Sequence, residues 1–193
     1  LKQPLVGLYS PRAQSGKSTT ARHLAAQRGG VTMSFADPMR AAIMPIVAPF
    51  MPGGEAEVWE WLSDHRKDTA MVPVLGVTLR HLLQTLGTSW GREMIHPDIW
   101  IEIAKTTSRR HRRQRLTIID DVRFENEYAL VRKEGGLLVK IVRPDAPVSG
   151  NFWHTSEARL EGLQFDAVIT NTGDVTELLA GIDAVANEYW GEV

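Results

Sequence analysis

The residues best suited to chemistry stand near the start of the chain, where Pro11-Arg12-Ala13-Gln14-Ser15-Gly16-Lys17-Ser18-Thr19 joins an apolar run to a helix-prone one. Gly-Lys-Ser closing such a loop suits a polyphosphate. Backbone N–H groups of the turn and the positive end of the following helix face phosphate oxygens, the lysine reaches the β and γ groups, and the serine hydroxyl holds Mg²⁺. Arg12 through Thr19 are therefore candidate contacts to a triphosphate: Arg12, Ala13, Gln14, Ser15, Gly16, Lys17, Ser18 and Thr19. Pro11 occupies the position where this motif usually begins with glycine. Proline donates no N–H and biases Ser10 towards extended backbone, so one phosphate contact is lost.

A second chemical cluster lies at Leu116-Thr117-Ile118-Ile119-Asp120-Asp121, a buried-type strand ending in two carboxylates. Open α/β sheets place their chemistry at the carboxyl ends of strands, and an aspartate there can complete the Mg²⁺ shell with the loop serine. Asp121 is the first candidate and Asp120 the second; one of them can instead cap the helix beginning near Phe124. Transfer between two anions needs positive charge around the moving group, which marks Arg123, Arg143 and Arg159 as candidate catalytic cations beside Lys17. An ion pair with Glu127 is the plainer reading of Arg123. His154 reads as a hydrogen-bonding loop residue rather than a base or metal ligand.

Short β-type runs must position these residues: Leu5 to Tyr9, Val31 to Phe35, Leu116 to Ile119, Leu137 to Val142 and Ala167 to Thr170. Their alternation with helical segments predicts an α/β fold, a parallel sheet covered on both faces. The expected layout is one domain over 1–193, with a core of 1–36, 115–144 and 162–193, a helical insertion at 37–114 and a lid at 145–161. Pro45, Pro49, Pro52 and Gly53-Gly54 interrupt the start of the insertion. Glu55 to Asp64 reads as a short helix, Thr78 caps a helix from Leu79 to about Met94, and another opens after Pro97-Asp98. On the Leu79 helix, Leu79, Leu82, Leu83 and Leu86 are core-like, while Arg80, Gln84, Gly87 and Gly91 form a neighbouring stripe. That stripe suits a nucleotide's phosphate and base edge, or else is a solvated face.

Composition narrows the function classes. With 193 residues and 43% hydrophobic content the chain can bury one good core. Net charge is −1, so no overall basic field points to nucleic acid or an acidic membrane. The absence of cysteine removes disulfides, thiolate catalysis and Cys-ligated zinc. No run approaches a membrane span and no signal-peptide pattern is seen, so the expected location is cytoplasmic, the host cytoplasm if a phage encodes the chain. Arg109-Arg110-His111-Arg112-Arg113-Gln114-Arg115 is densely basic but lacks aromatic interleaving, which favours a solvated helix end over a nucleic-acid surface.

Several stretches in order resemble the phage-type deoxynucleoside monophosphate kinases, a branch of the P-loop nucleoside monophosphate kinase group. They are Gly16-Lys17-Ser18, Ser34 to Arg40, Leu83 to Thr88 with Arg92, His96 to Trp100, Asp121 to Glu127, His154 to Glu157, and Asp166 to Gly173. The resemblance implies a three-layer fold with a five-stranded parallel sheet, ATP and Mg²⁺ as cofactors, and a 2′-deoxynucleoside 5′-monophosphate as acceptor. Carried over, Asp37 and Arg40 would stand at the mouth of the acceptor pocket, with Arg80, Gln84, Gly87, Thr88 and Arg92 along its wall. Trp100 would offer an apolar face to base or sugar, and Arg123 would touch the transferred or acceptor phosphate. Asn171 and Gly173 would lie in the turn beside the donor adenine. Asp174 and Glu177 have a sufficient structural role as a capping box.

The expected reaction is transfer of the γ-phosphoryl of Mg-ATP to a deoxynucleotide monophosphate. Alternatives are a P-loop kinase for another phosphorylated small molecule, such as phosphomevalonate or dephospho-coenzyme A, or an ATP-regulated nucleic-acid-binding protein using the arginine run. Small-molecule nucleotides are the expected partners, without nucleic acid or membrane. A homodimer is left open, since Trp59 and Trp61 suit either an interface or the packing of a short helix.

Overall fold

The computed structural model describes residues 3–12, 14–145, 160 and 162–191. Ala13, Arg159, His154 and most of the segment expected as a lid lie outside the described residues. The elements run β1 (Leu5–Tyr9), α1 (Lys17–Gln27), β2 (Val31–Met33), α2 (Asp37–Val47), α3 (Gly54–Ser63), α4 (Arg66–Thr69), α5 (Leu79–Gln84), α6 (Ile99–His111), β3 (Thr117–Val122), α7 (Glu125–Lys133), β4 (Leu137–Val142), β5 (Ala167–Thr170) and α8 (Val175–Trp190). Between α5 and α6, Thr85–Ile95 continues as a π-helix. By internal contacts the chain divides into a sheet unit, Leu1–Phe35 with Ala104–Val193, and a helical unit, Ala36–Ile103.

In the sheet unit the five strands are parallel in the order β2-β3-β1-β4-β5. Every residue of β1 is buried. Neighbouring strand residues face opposite sides, so two separate layers must cover them. Val6 and Leu8 join Leu24 of α1 and Leu178 and Ile182 of α8 in one core. On the other side a Cβ at Gly7 would lie 3.0 Å from Val131 of α7. Helices on both faces of a parallel sheet make the three-layer α/β architecture expected from the sequence. The strand runs were legible to within a few residues, with one consequential difference: β3 extends through Val122, so both aspartates lie inside the strand.

The helical unit has its own core of Ile43, Val47, Met51, Val58, Leu62, Val72 and Leu79. Pro45, expected as an interruption, lies within α2. Buried Ile43 and Val47 flank it and hold the helical path despite the missing N–H. Thr78 caps α5 as expected, its Oγ1 accepting the His81 N–H at 3.1 Å. The helical unit ends at Ile103 rather than 114 because the second half of α6 belongs to the sheet unit. There Ser108 and Arg112 are buried, and the Arg112 guanidinium donates to the Gln3 carbonyl at 2.7 Å and the Glu134 carbonyl at 3.0 Å. Among the described residues no helix is long and apolar enough to cross a membrane.

Candidate active site

The phosphate loop leaves β1 at Ser10, whose buried hydroxyl donates to the Arg12 carbonyl at 3.1 Å and accepts the Arg12 N–H at 3.3 Å. A side chain thus closes the turn that Pro11 cannot. Gln14 and Gly16 have positive φ, 54° and 99°. Such reversals turn successive N–H groups to one side, and glycine meets the requirement without a Cβ penalty. A Cβ at Gly16 would also lie 2.5 Å from Cδ2 of Leu178. Helix α1 then starts at Lys17 with neither a side-chain cap nor an acidic residue in its first turn. Its first N–H groups and its positive dipole end suit an anion. The Ser15 Oγ, buried without a hydrogen-bond partner among the described residues, fits the same ligand.

The Ser18 hydroxyl donates to Asp120 Oδ2 at 3.1 Å. Asp121 instead accepts the Phe35 N–H at 2.8 Å and the Ser34 hydroxyl, tying β3 to the end of β2. The sequence points first to Asp121 beside Ser18, whereas the geometry puts Asp120 there. The reason is a register shift: Gly7 pairs with Ile119 but Tyr9 pairs with Val122, leaving two residues of β3 opposite Leu8 alone. A bulge re-aims side chains in a way alternation does not anticipate. Neither aspartate caps α7. Glu127, itself buried, accepts the N–H groups of Arg123 and Phe124 at 2.7 and 3.1 Å and fixes the backbone that carries half-buried Arg123. A hydroxyl and a carboxylate converging at this distance form a hard oxygen pair, which fits Mg²⁺ bound through one or two protein ligands and phosphate oxygens.

Two arginines cross between the phosphate loop and the end of β4. Arg12 Nη1 donates to the Pro144 carbonyl at 2.5 Å, and Arg143 Nη1 donates to the Gln14 carbonyl at 2.9 Å. Asn171, buried at the end of β5, donates from Nδ2 to the Ser15 carbonyl at 2.9 Å, while its Oδ1 accepts the Gly173 N–H at 2.9 Å. Its amide therefore ties the loop to the turn before α8, a bracing role that no local spacing signals. Asp174 caps α8 through the Thr176 N–H at 2.7 Å. Glu177 departs from the expected capping box and accepts the Thr172 hydroxyl at 2.7 Å.

Within the helical unit, Arg40 pairs with Asp37 at 2.9 Å on the first turn of α2, and Arg80 pairs with Asp68 at 2.6 Å. Gln84 and Thr88 are exposed and Arg92 is half-buried. Gly87, Gly91 and Trp100 depart from the expected open wall. A Cβ at Gly87 would lie 2.7 Å from the Met39 sulfur, and one at Gly91 2.6 Å from Trp100. Trp100 is 4% exposed, with its indole N–H on the Gly87 carbonyl at 2.8 Å. The glycines make room for packed side chains, and Trp100 offers no free face to a base. In the basic run, Arg109 and Arg112 both reach Glu134, whose side chain is 3% exposed. Burial pulls the Arg112 guanidinium below its ordinary value, opposed by the Glu134 charge.

Residues 64–182 match the family model described as deoxynucleotide monophosphate kinase. The chain belongs to the deoxynucleotide monophosphate kinase family. A relative from Acanthamoeba polyphaga mimivirus, which carries that activity as its provisional name, is 29% identical over 190 residues, covering 92% of this chain and 93% of its own length. At greater distance the chain is similar to a solved dephospho-CoA kinase from Campylobacter jejuni, 15% identical with a TM-score of 0.48 and coverage of 96% and 97%. A solved sugar kinase from Janibacter sp. HTCC2649 is 14% identical, with a TM-score of 0.44 and coverage of 97% and 94%. Membership in the deoxynucleotide monophosphate kinase family makes the chain a phosphotransferase with a nucleotide phosphate donor. The matched stretch begins well after Lys17, so the phosphate-loop geometry and the family match are separate observations.

Proposed function

We propose that the protein transfers the γ-phosphoryl of Mg-ATP to the 5′-phosphate of a 2′-deoxynucleoside monophosphate, releasing ADP and the deoxynucleoside diphosphate. The donor half is carried by one observation: Ser18 and Asp120 converge beside the uncapped, acid-free start of α1. Membership in the family supports the acceptor class.

In this reading the loop backbone and Lys17 hold the donor phosphates, and Ser15, Thr19 and Arg12 add contacts around them. Mg²⁺, held by Ser18 and Asp120, would neutralise charge on the β and γ groups. Asn171 keeps the loop in register through the Ser15 carbonyl. Arg123 and Arg143 are the described arginines assigned to charge on the transferred group. A monophosphate oxygen is already nucleophilic, so these residues need to position and neutralise rather than abstract a proton. On the acceptor side Asp37, Arg40, Arg80, Gln84, Thr88 and Arg92 are assigned to the nucleotide.

The test is ADP release from Mg-ATP with each of the four deoxynucleoside monophosphates, the ribonucleotides, phosphomevalonate and dephospho-coenzyme A. Deoxynucleotide-dependent turnover is expected, and Lys17→Ala should reduce it by orders of magnitude with the fold retained. Near-normal turnover in that variant would remove the donor site, and turnover with a different acceptor alone would replace the substrate.

A further inference from the structure

We propose that Trp100 is a positioning residue for the acceptor: its indole holds Thr85–Ile95 in π-helical register and thereby sets where Thr88 and Arg92 stand. The proposal rests on the reading above, in which those two side chains meet the monophosphate substrate.

The π-helix runs for 11 residues. Hydrogen bonding from i to i+5 is rare and is usually limited to single turns, so a segment this long needs support from outside itself. Trp100 supplies it at two points. Its Nε1–H donates to the Gly87 carbonyl at 2.8 Å, and its ring lies so close to the backbone at Gly91 that a Cβ there would come within 2.6–2.9 Å of three indole atoms. Thr88 follows Gly87 and Arg92 follows Gly91, so each grip is one peptide bond from a proposed acceptor contact. The far end of the segment closes in the same register, with the His96 N–H on the Gly91 carbonyl at 2.9 Å.

The register matters for side-chain direction. A π-helix takes more residues per turn than the 3.6 of an α-helix, so residues four apart fall short of a full turn instead of overshooting it. Gln84, Thr88 and Arg92 follow that spacing. Relaxation to α-helical bonding would keep the three on one face but swing Thr88 and Arg92 to the opposite side of Gln84, so that they would be aimed elsewhere. The loop and the carboxylate assigned to the donor belong to the sheet unit.

Trp100→Phe tests the idea, because it retains a ring against Gly91 and removes the N–H on Gly87. Steady-state kinetics should show the KM for the deoxynucleotide raised about three- to tenfold, the effect of losing one hydrogen bond, with the KM for ATP essentially unchanged. Heat protection gives a second reading that needs no turnover: the variant should lose part of its stabilisation by deoxynucleotide and keep that by ATP. Gly91→Ala, which displaces the indole from the other side, should give the same split. A lower melting temperature with unchanged constants, or equal losses for both ligands, would make Trp100 merely structural and overturn the proposal. Wild-type protein that neither turns over deoxynucleotides nor is protected by them would bring down the proposed function as well.

Discussion

At the scale of single residues, the two adjacent aspartates have different work. Asp120 faces the Ser18 hydroxyl, whereas Asp121 satisfies a hydroxyl and a backbone N–H that join β2 to β3. Asp120→Asn is therefore expected to leave the melting temperature nearly unchanged and to raise the Mg²⁺ concentration needed for half-maximal turnover about 10- to 100-fold. Asp121→Ala should do the reverse. Removing the carboxylate leaves the buried Ser34 hydroxyl and the Phe35 N–H without this acceptor and costs about 1–3 kcal/mol, visible as a lower melting temperature. Metal titration of activity alongside thermal melts separates the two, and a fall in stability without a metal effect for Asp120→Asn would sink the assignment. Residue types and spacing located both carboxylates; they could not assign them, because the choice depends on the bulge opposite Leu8.

Elements explain how the loop keeps its shape. The end of β5 and the following helix each support it, through the Asn171 amide on the Ser15 carbonyl and through Leu178 of α8 packed against Gly16. Asn171→Ala removes a buried amide and leaves the Ser15 carbonyl and the Gly173 N–H to find other partners, a loss of about 2 kcal/mol. Thermal melts should show that loss, and the KM for ATP should rise while the KM for the acceptor does not. An unchanged ATP constant would reduce Asn171 to a fold residue. The strands and most helices were legible because each is a short run of one periodicity bounded by turn residues. The π register of Thr85–Ile95 was not: Leu79, Leu82, Leu83 and Leu86 fit α-helical spacing well. What widens the helix is Trp100, a residue from the next element.

For the molecule as a whole, the arginine-rich run shows how a densely charged stretch of sequence can serve the fold. Arg109 and Arg112 converge on Glu134 at the end of α7, and Arg112 also holds the Gln3 carbonyl. Glu134→Ala leaves the buried Arg112 charge without its carboxylate and should cost about 3 kcal/mol, measured by denaturant unfolding. An effect under about 0.5 kcal/mol would place the pair with ordinary surface ion pairs. Local sequence was enough for the α/β class, the strand runs, the phosphate loop with Lys17 and Ser18, and a resemblance to the family to which the chain belongs. These depend on local periodicity and on chemically distinctive residues close together in the chain. Tertiary structure alone decided that Asp120 rather than Asp121 meets Ser18, that Asn171 braces the loop, that Gly87 and Gly91 are filled by Met39 and Trp100, and that Arg112 is buried. Each of those outcomes turns on register or close packing between segments far apart in sequence, and a local pattern carries no information about the partner that settles it.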